Sequence, residues 1–500
     1  MRRDFQKLSS TSHDLLVIGG GINGAAIANI AAGRGLKTAL IEKGDFASGT
    51  SSKSTKLIHG GLRYLENFEF GLIYESLRER HIQLQCAPHL VKPLAFIIPT
   101  YEGDPRSLWT MRFGVFLYEM LAGRYRVQRR RFLSSEEVTQ LEPGIKREGL
   151  KGGVMYYDAQ MDDARLCLEN VLAAREMGAD AFNYVEVTAF LKQAGKVVGV
   201  TAHDTIGGGA FDVHAKKVIC AVGPWTNALM RLDDPHAKHL VRTTKGVHIV
   251  VRGELSRHAL FIMSYRDRRI FFVIPWLGNS LIGTTDTDYP GRPDDVDVEQ
   301  ADVDYLTTEA QRIFPARDFS GRNIIATFAG LRPLLRSDSA LPSRATRKHF
   351  IHETPSGMIV VVGGKYTTYR AVAEACVNRV TTPRHETDFR VYGGGAITDN
   401  LESVAREYGL PFETISAIAG KYGSRYKDVL RLTADDPALK ERFCPCGPFI
   451  KAQIAYAIET EMAQTANDII FRRLATAYFD CSTRNCERVI REFIRKMGSE

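Results

Sequence analysis

The chain has 500 residues, 44% hydrophobic, 25% charged and 9% aromatic, which excludes a disordered, fibrous or disulfide-scaffold protein and leaves room for about three domains. Its 66 Lys and Arg against 58 Asp and Glu give a net charge of +8. That excess suits phosphate ligands or an anionic membrane face and is too diffuse to imply nucleic acid. The eight cysteines, at 86, 167, 220, 376, 444, 446, 481 and 486, show no repeated C-x-x-C spacing; no metal site is expected, Cys444-Pro445-Cys446 reads as a pair of thiols, and a reducing cytoplasmic compartment fits.

Arg2 and Arg3 followed by the stretch from Leu15 to Ala32 imitate a signal peptide, but Gly19, Gly20, Gly21, Asn23 and Gly24 break the apolar run at its centre. A strand, tight turn and helix suit it better. No run of about 20 apolar residues occurs elsewhere, so no membrane-spanning helix is expected. Asp14 to Ile18 reads as a strand that ends at Gly19-x-Gly21-x-x-Gly24, followed by a small-residue helix and a second strand, Lys37 to Ile41, ending at Glu42. The first glycine allows the turn, the second admits a pyrophosphate, and the third lets helix pack on strand. Glu42 would take ribose hydroxyls and repel a 2′-phosphate, which leaves FAD or NAD.

The run from Ser48 to Leu65, with Thr50, Ser51, Ser52, Lys56, Leu57, His59 and Arg63, offers many donors with little bulk, as a loop along a cofactor needs. Leu108 to Leu121 is apolar and aromatic and is followed by Arg124, Arg126, Arg129, Arg130 and Arg131. Such a helix could lie in a headgroup region, or pack as a core helix beside a basic loop. Lys217 to Trp225 reads as a strand and turn beneath the nucleotide, with Gly223 at the bend. Val247 to Val251 and Arg269 to Ile274 read as strands of a covering sheet. Met358 to Val362 is a strand ending in Gly363-Gly364-Lys365, and Thr367, Thr368 and Tyr369 open a helix. That second glycine turn would bring backbone N–H groups and Lys365 to a flavin, favouring flavin over nicotinamide. After Gly393-Gly394-Gly395 the spacing is helical to about residue 496.

With these residues in place, the sequence resembles the FAD-dependent glycerol-3-phosphate dehydrogenases, the quinone-linked aerobic type and their oxidase relatives. The matching stretches run from residue 14 to 370: the first glycine turn, Thr50 to Leu65, Val222 to Trp225, Lys245 to His248, Ile274 to Trp276, Gly283 to Asp286, Gly330 to Pro333 and Gly363 to Tyr369. The resemblance implies an α/β Rossmann-like FAD-binding domain (1–83, 150–230 and 332–395) interleaved with an α+β substrate-covering domain (84–149 and 231–331), plus a C-terminal all-α domain (396–500). It implies oxidation of sn-glycerol 3-phosphate to dihydroxyacetone phosphate by hydride transfer to flavin N5. Electrons would go to a quinone, or to oxygen in an oxidase. Peripheral contact with an anionic membrane on its cytoplasmic face and a homodimer are both left open.

Arg63, Arg332 and Arg347 match the family's anion-binding arginines, although Lys348 stands where relatives often carry Asp. Lys365 with Thr368 would sit where flavin and substrate meet. His248, with a neutral imidazole near its ordinary pKa, is the first choice for the base; His59, Lys365 or an arginine-bound water are the alternatives. Gly19, Gly21, Gly24, Glu42, Thr50, Ser51, Ser52, Lys56, Leu57, Gly223, Gly364, Lys365 and Thr368 would hold the cofactor. An amine oxidase on the same scaffold and a non-catalytic nucleotide sensor are rival readings. The set Arg63, His248, Arg332 and Lys365 argues against both, because it favours phosphate and because a sensor has no need of it.

Overall fold

The computed structural model describes residues 3–336, 349–383, 397–481 and 485–497. Leu15, Leu16, Val17 and Ile18 are all apolar and all buried, as a strand covered on both faces requires. Ser12–Ile18 is the centre of a sheet ordered His349–Glu353, Ile359–Gly363, Ala210–Cys220, Ser12–Ile18, Thr38–Glu42, Asp180–Asn183. All pairs along this path are parallel except the first. Val185–Gln193 and Lys196–Asp204 extend it as an antiparallel hairpin.

The helix Ile22–Gly33 joins the first two strands in the chain. Its Ala25, Ala26, Ala28, Ala31 and Ala32 are buried, and such small side chains let the helices Asp163–Glu176 and Tyr369–Val377 close upon it. Thr38–Glu42 and Ala210–Cys220 flank Ser12–Ile18 on opposite sides, so a crevice opens at the carboxyl end of the central strand.

A second sheet of ten strands covers that crevice. Its long strands are Val91–Tyr101, Leu150–Met161, Val241–Val251 and Ile324–Leu335. Residues alternate between its faces: Val247, Ile249 and Val251 pack with Leu306 and Phe314, while Val250 and Phe328 pack with Ile73 and Val115. Two boundaries differ from the sequence reading. Leu150–Met161, expected in the nucleotide-binding part, pairs antiparallel with Val91–Tyr101, and residues 332–335 stay in the covering sheet as the end of Ile324–Leu335. Both strands are twelve residues long, so each carries chain across a division drawn between motifs.

The last part of the chain is helical: Leu401–Tyr408, Phe412–Tyr422, Tyr426–Asp435, Lys451–Glu459 and Asn485–Met497. It docks through buried charge. Asp45, after the second strand, accepts from Arg473 at 2.7 and 2.8 Å and from Arg472 at 2.6 Å. Arg165 meets Glu169 and Glu461 and lies 4.5 Å from the Tyr422 ring centre. Burial alone would raise the Asp45 carboxyl, but the two arginines overrule it and hold it at about 2. No described helix is long and apolar enough to cross a membrane.

Candidate active site

The crevice is a single cavity of about 1590 Å³ running from Gly19 to the covering sheet. At its first end the backbone does the work. Gly19 has φ +105°, and a Cβ there would stand 2.7 Å from the Ala221 oxygen; a Cβ on Gly24 would stand 1.8 Å from the Gly19 oxygen. Only glycine allows this turn to press helix Ile22–Gly33 against the strand. The helix starts at Gly21, and Ser51 Oγ accepts from the Ile22 N–H at 2.9 Å, so the Ser48–Leu65 run caps it. Glu42 lines the cavity, yet its carboxylate already accepts from the N–H of Gly20 at 2.6 Å and of Gly44 at 2.9 Å. Part of its capacity therefore goes to holding the turn. Burial pushes its pKa up against these bonds. Gly21, Thr50, Leu57 and Gly223 also line the cavity, and Thr50 Oγ1 donates to the Leu331 carbonyl at 2.6 Å. Narrow glycine passages, a helix N-terminus and a long cavity fit a dinucleotide such as FAD.

At the other end side chains from both sheets converge. Gly363 (φ +71°) and Gly364 (φ +88°) turn the chain so that Lys365 Nζ reaches Ser76 Oγ at 3.0 Å and sits 3.9 Å from the Tyr64 ring centre. Arg63 lies 5.2 Å from the same ring. His59 lines the cavity and is tied through its N–H to Thr367 Oγ1 at 3.1 Å. Arg332 donates to Asp286 Oδ1 at 3.1 Å, Thr284 Oγ1 at 2.9 Å and the Thr285 carbonyl at 3.1 Å. Gly246 makes room for it, since a Cβ there would stand 2.3 Å from the guanidinium.

His248 is buried on Val241–Val251, with Nε2 3.0 Å from Thr55 Oγ1 and its ring stacked on Phe328 at 4.9 Å. Its Nδ1 has no hydrogen-bond partner among the described residues. The cross-strand neighbour Gly283 leaves space for the ring. Burial, then the charges of Arg332 and Lys56, push the imidazole well below its ordinary value of 6.5. The expectation of a near-ordinary pKa is thus corrected: the ring is neutral across the neutral range. Phe328 is backed by Tyr478 at 5.7 Å, and Tyr478 by Trp276 at 5.0 Å, so the helical domain's chain props the wall behind His248.

Four expected cofactor residues do not line the cavity: Gly24, which packs against the Gly19 carbonyl beneath the turn, and Lys56, Ser52 and Thr368. Lys56 is buried, donating to Asp163 Oδ1 at 2.7 Å and to the Ser52 carbonyl at 2.8 Å. Ser52 thus serves that pair, and Thr368 is buried at the start of helix Tyr369–Val377. The pairing of Lys56 with Asp163 spans 107 positions, too far to read locally. Arg347 and Lys348 lie outside the described residues. The sequence reading missed Lys53, Thr55 and Arg269, which all belong to the site. Lys53 lines the cavity and burial, aided by the Lys56 charge, pulls it down to about 8. Arg269 donates to the Asp286 carbonyl. Lys53 and Thr55 lay inside the hydroxyl-rich run, where a signal existed; Arg269 opened an ordinary strand pattern.

Residues 14–375 match the FAD dependent oxidoreductase family, and residues 386–500 match the C-terminal domain of alpha-glycerophosphate oxidase. A glycerol-3-phosphate dehydrogenase of Synechocystis sp. is 40% identical, covering 95% of this chain and 91% of the relative. An aerobic glycerol-3-phosphate dehydrogenase of Staphylococcus aureus is 34% identical, covering 95% and 89%. The crystal structure of the glycerol-3-phosphate dehydrogenase from Bacillus halodurans complexed with FAD superposes with a TM-score of 0.82 at 31% identity, covering 99% of this chain and 92% of that one. These matches run over nearly the whole length, and the chain belongs to the FAD-dependent glycerol-3-phosphate dehydrogenase family.

Proposed function

We propose that this chain oxidises the secondary alcohol of sn-glycerol 3-phosphate to dihydroxyacetone phosphate. FAD, when bound, supplies the two-electron acceptor for the hydride on carbon 2. The Gly19–Gly24 turn and the helix N-terminus behind it hold the pyrophosphate. Two pairs of cations, Arg63 with Lys365 beside Tyr64 and Arg332 with Arg269 beside Asp286, surround the substrate phosphate and fix its orientation. Asp286 and Thr284 preorient the Arg332 fork before substrate arrives. His248, kept neutral by its burial, accepts the hydroxyl proton as the alcohol becomes a carbonyl.

The convergence of both cation pairs and a buried neutral imidazole in the cavity that begins at the glycine turn carries this reading. Its test is anaerobic addition of glycerol 3-phosphate to the yellow protein. Bleaching is expected; a chromophore unchanged by this substrate but reduced by dithionite would overturn it.

Electrons pass on to a quinone in this reading. Helix Leu108–Ala122 buries Met111, Val115 and Tyr118 and leaves Trp109 76%, Phe113 65% and Met120 60% exposed. Arg129 and Arg131 lie exposed nearby. An apolar face rimmed by cations suits the headgroup region of an anionic membrane. Sedimentation with anionic vesicles at low salt checks it. The match of residues 386–500 to an oxidase C-terminal domain favours a second reading, oxygen as acceptor; peroxide formed on readmitting air to the bleached protein would select it.

A further inference from the structure

Four cysteines of the helical domain meet at one point. Cys444 and Cys446 lie on the loop between Pro437–Lys440 and Lys451–Glu459, Cys481 follows Thr476–Tyr478, and Cys486 is in the first turn of Asn485–Met497. Their sulfur atoms all fall within 4.8 Å of one another. Cys446 and Cys486 are 3.3 Å apart, Cys481 and Cys486 3.4 Å, and Cys444 and Cys481 3.6 Å. Cys444 and Cys486 are joined as a disulfide. A disulfide accounts for two sulfurs, however, and leaves unexplained why Cys446 and Cys481 close on the same pair. The N–H of Cys446 also lies 3.5 Å from Cys444 Sγ, the type of contact that steadies a ligating sulfur. The other four cysteines are dispersed through the core of the first sheet.

We propose that Cys444, Cys446, Cys481 and Cys486 form a tetrathiolate site for one divalent, thiophilic cation of zinc's class. Bonds of about 2.3 Å in a tetrahedron place sulfurs about 3.8 Å apart, close to the spacings seen. An iron–sulfur cluster sets its own atoms between the cysteines and spreads them further. The Cys444–Cys486 disulfide is first reduced by a dithiol, which takes over the S–S bond as its own disulfide and leaves two cysteine thiols. Each of the four thiols then gives its proton to water as it ligates, with no further change of oxidation state. The disulfide is the competing metal-free form; the metal-bearing form has all four sulfurs as thiolates. The site clips the last helix to the loop of the Cys444–Cys446 pair. It also fixes the chain three residues beyond Tyr478, the ring that supports Phe328 behind His248. Its role is architectural.

The experiment is elemental analysis of the full-length, flavin-loaded protein purified under reducing, chelator-free conditions. One zinc per chain is expected, absent from Cys446→Ser. Should that variant not fold, cobalt(II) exchanged into the unaltered protein provides the second readout: tetrahedral thiolate cobalt absorbs at longer wavelength than flavin. A single iron without inorganic sulfide also supports one tetrahedral ion. Reduced protein with all four thiols titratable, no bound metal and no cobalt spectrum overturns the site, as does iron accompanied by inorganic sulfide.

Discussion

The two ends of the cavity are built by different means. The nucleotide end is backbone: Gly19, Gly21 and Gly24 shape it, and the carboxylate of Glu42 braces the turn through the Gly20 N–H while also accepting from Gly44 in its own loop. The substrate end is side chain: Arg332, Arg269, Lys365, Arg63 and His248 come from strands and turns far apart in sequence; all but Arg63, which lies over its neighbour Tyr64, are held by a partner from another element. A backbone site fails by steric exclusion and fails completely. A side-chain site fails by degrees, one interaction at a time.

The sharpest way to break the contrast is at Gly24. A Gly24→Val chain would drive its Cβ into the Gly19 carbonyl, 1.8 Å away, so it should purify colourless and stay so after incubation with FAD, as its visible spectrum will show. Next comes the clasp that joins the helical domain to the nucleotide end. Arg473→Ala leaves the buried Asp45 carboxylate short of a partner and should cost about 3–5 kcal/mol in denaturant unfolding.

At the substrate end, Arg332→Ala should keep its flavin and lower kcat/KM about a hundredfold, ~2.7 kcal/mol. Unchanged kinetics would remove Arg332 from the substrate. The smallest effect is set by pH. The folded chain holds His248 far below the unfolded imidazole value of 6.5, so below that value the unfolded chain takes up a proton that the folded one refuses. Stability from this residue is therefore full above pH 6.5 and is lost as pH falls toward the folded pKa. His248→Gln should flatten the acid side of a plot of Tm against pH.

The same contrast explains how much could be read in advance. Strand, glycine turn, helix and acid follow one another within 29 residues, from Asp14 to Glu42, because a nucleotide turn is local geometry; the family resemblance then supplied Arg332 and His248. Lys56 was misassigned because its partner Asp163 arrives by a fold contact. Arg269 gave no sign, since an arginine opening a strand resembles any surface arginine. The four clustered cysteines sit two, 35 and five positions apart, and only the packing of the final helix brings them together.

The stack of Trp276, Tyr478, Phe328 and His248 means that the helical tail is no detachable appendage. A chimera that exchanged this tail for that of a distant relative would alter the stiffness of the reaction chamber itself, because the ring that backs Phe328 comes with the tail.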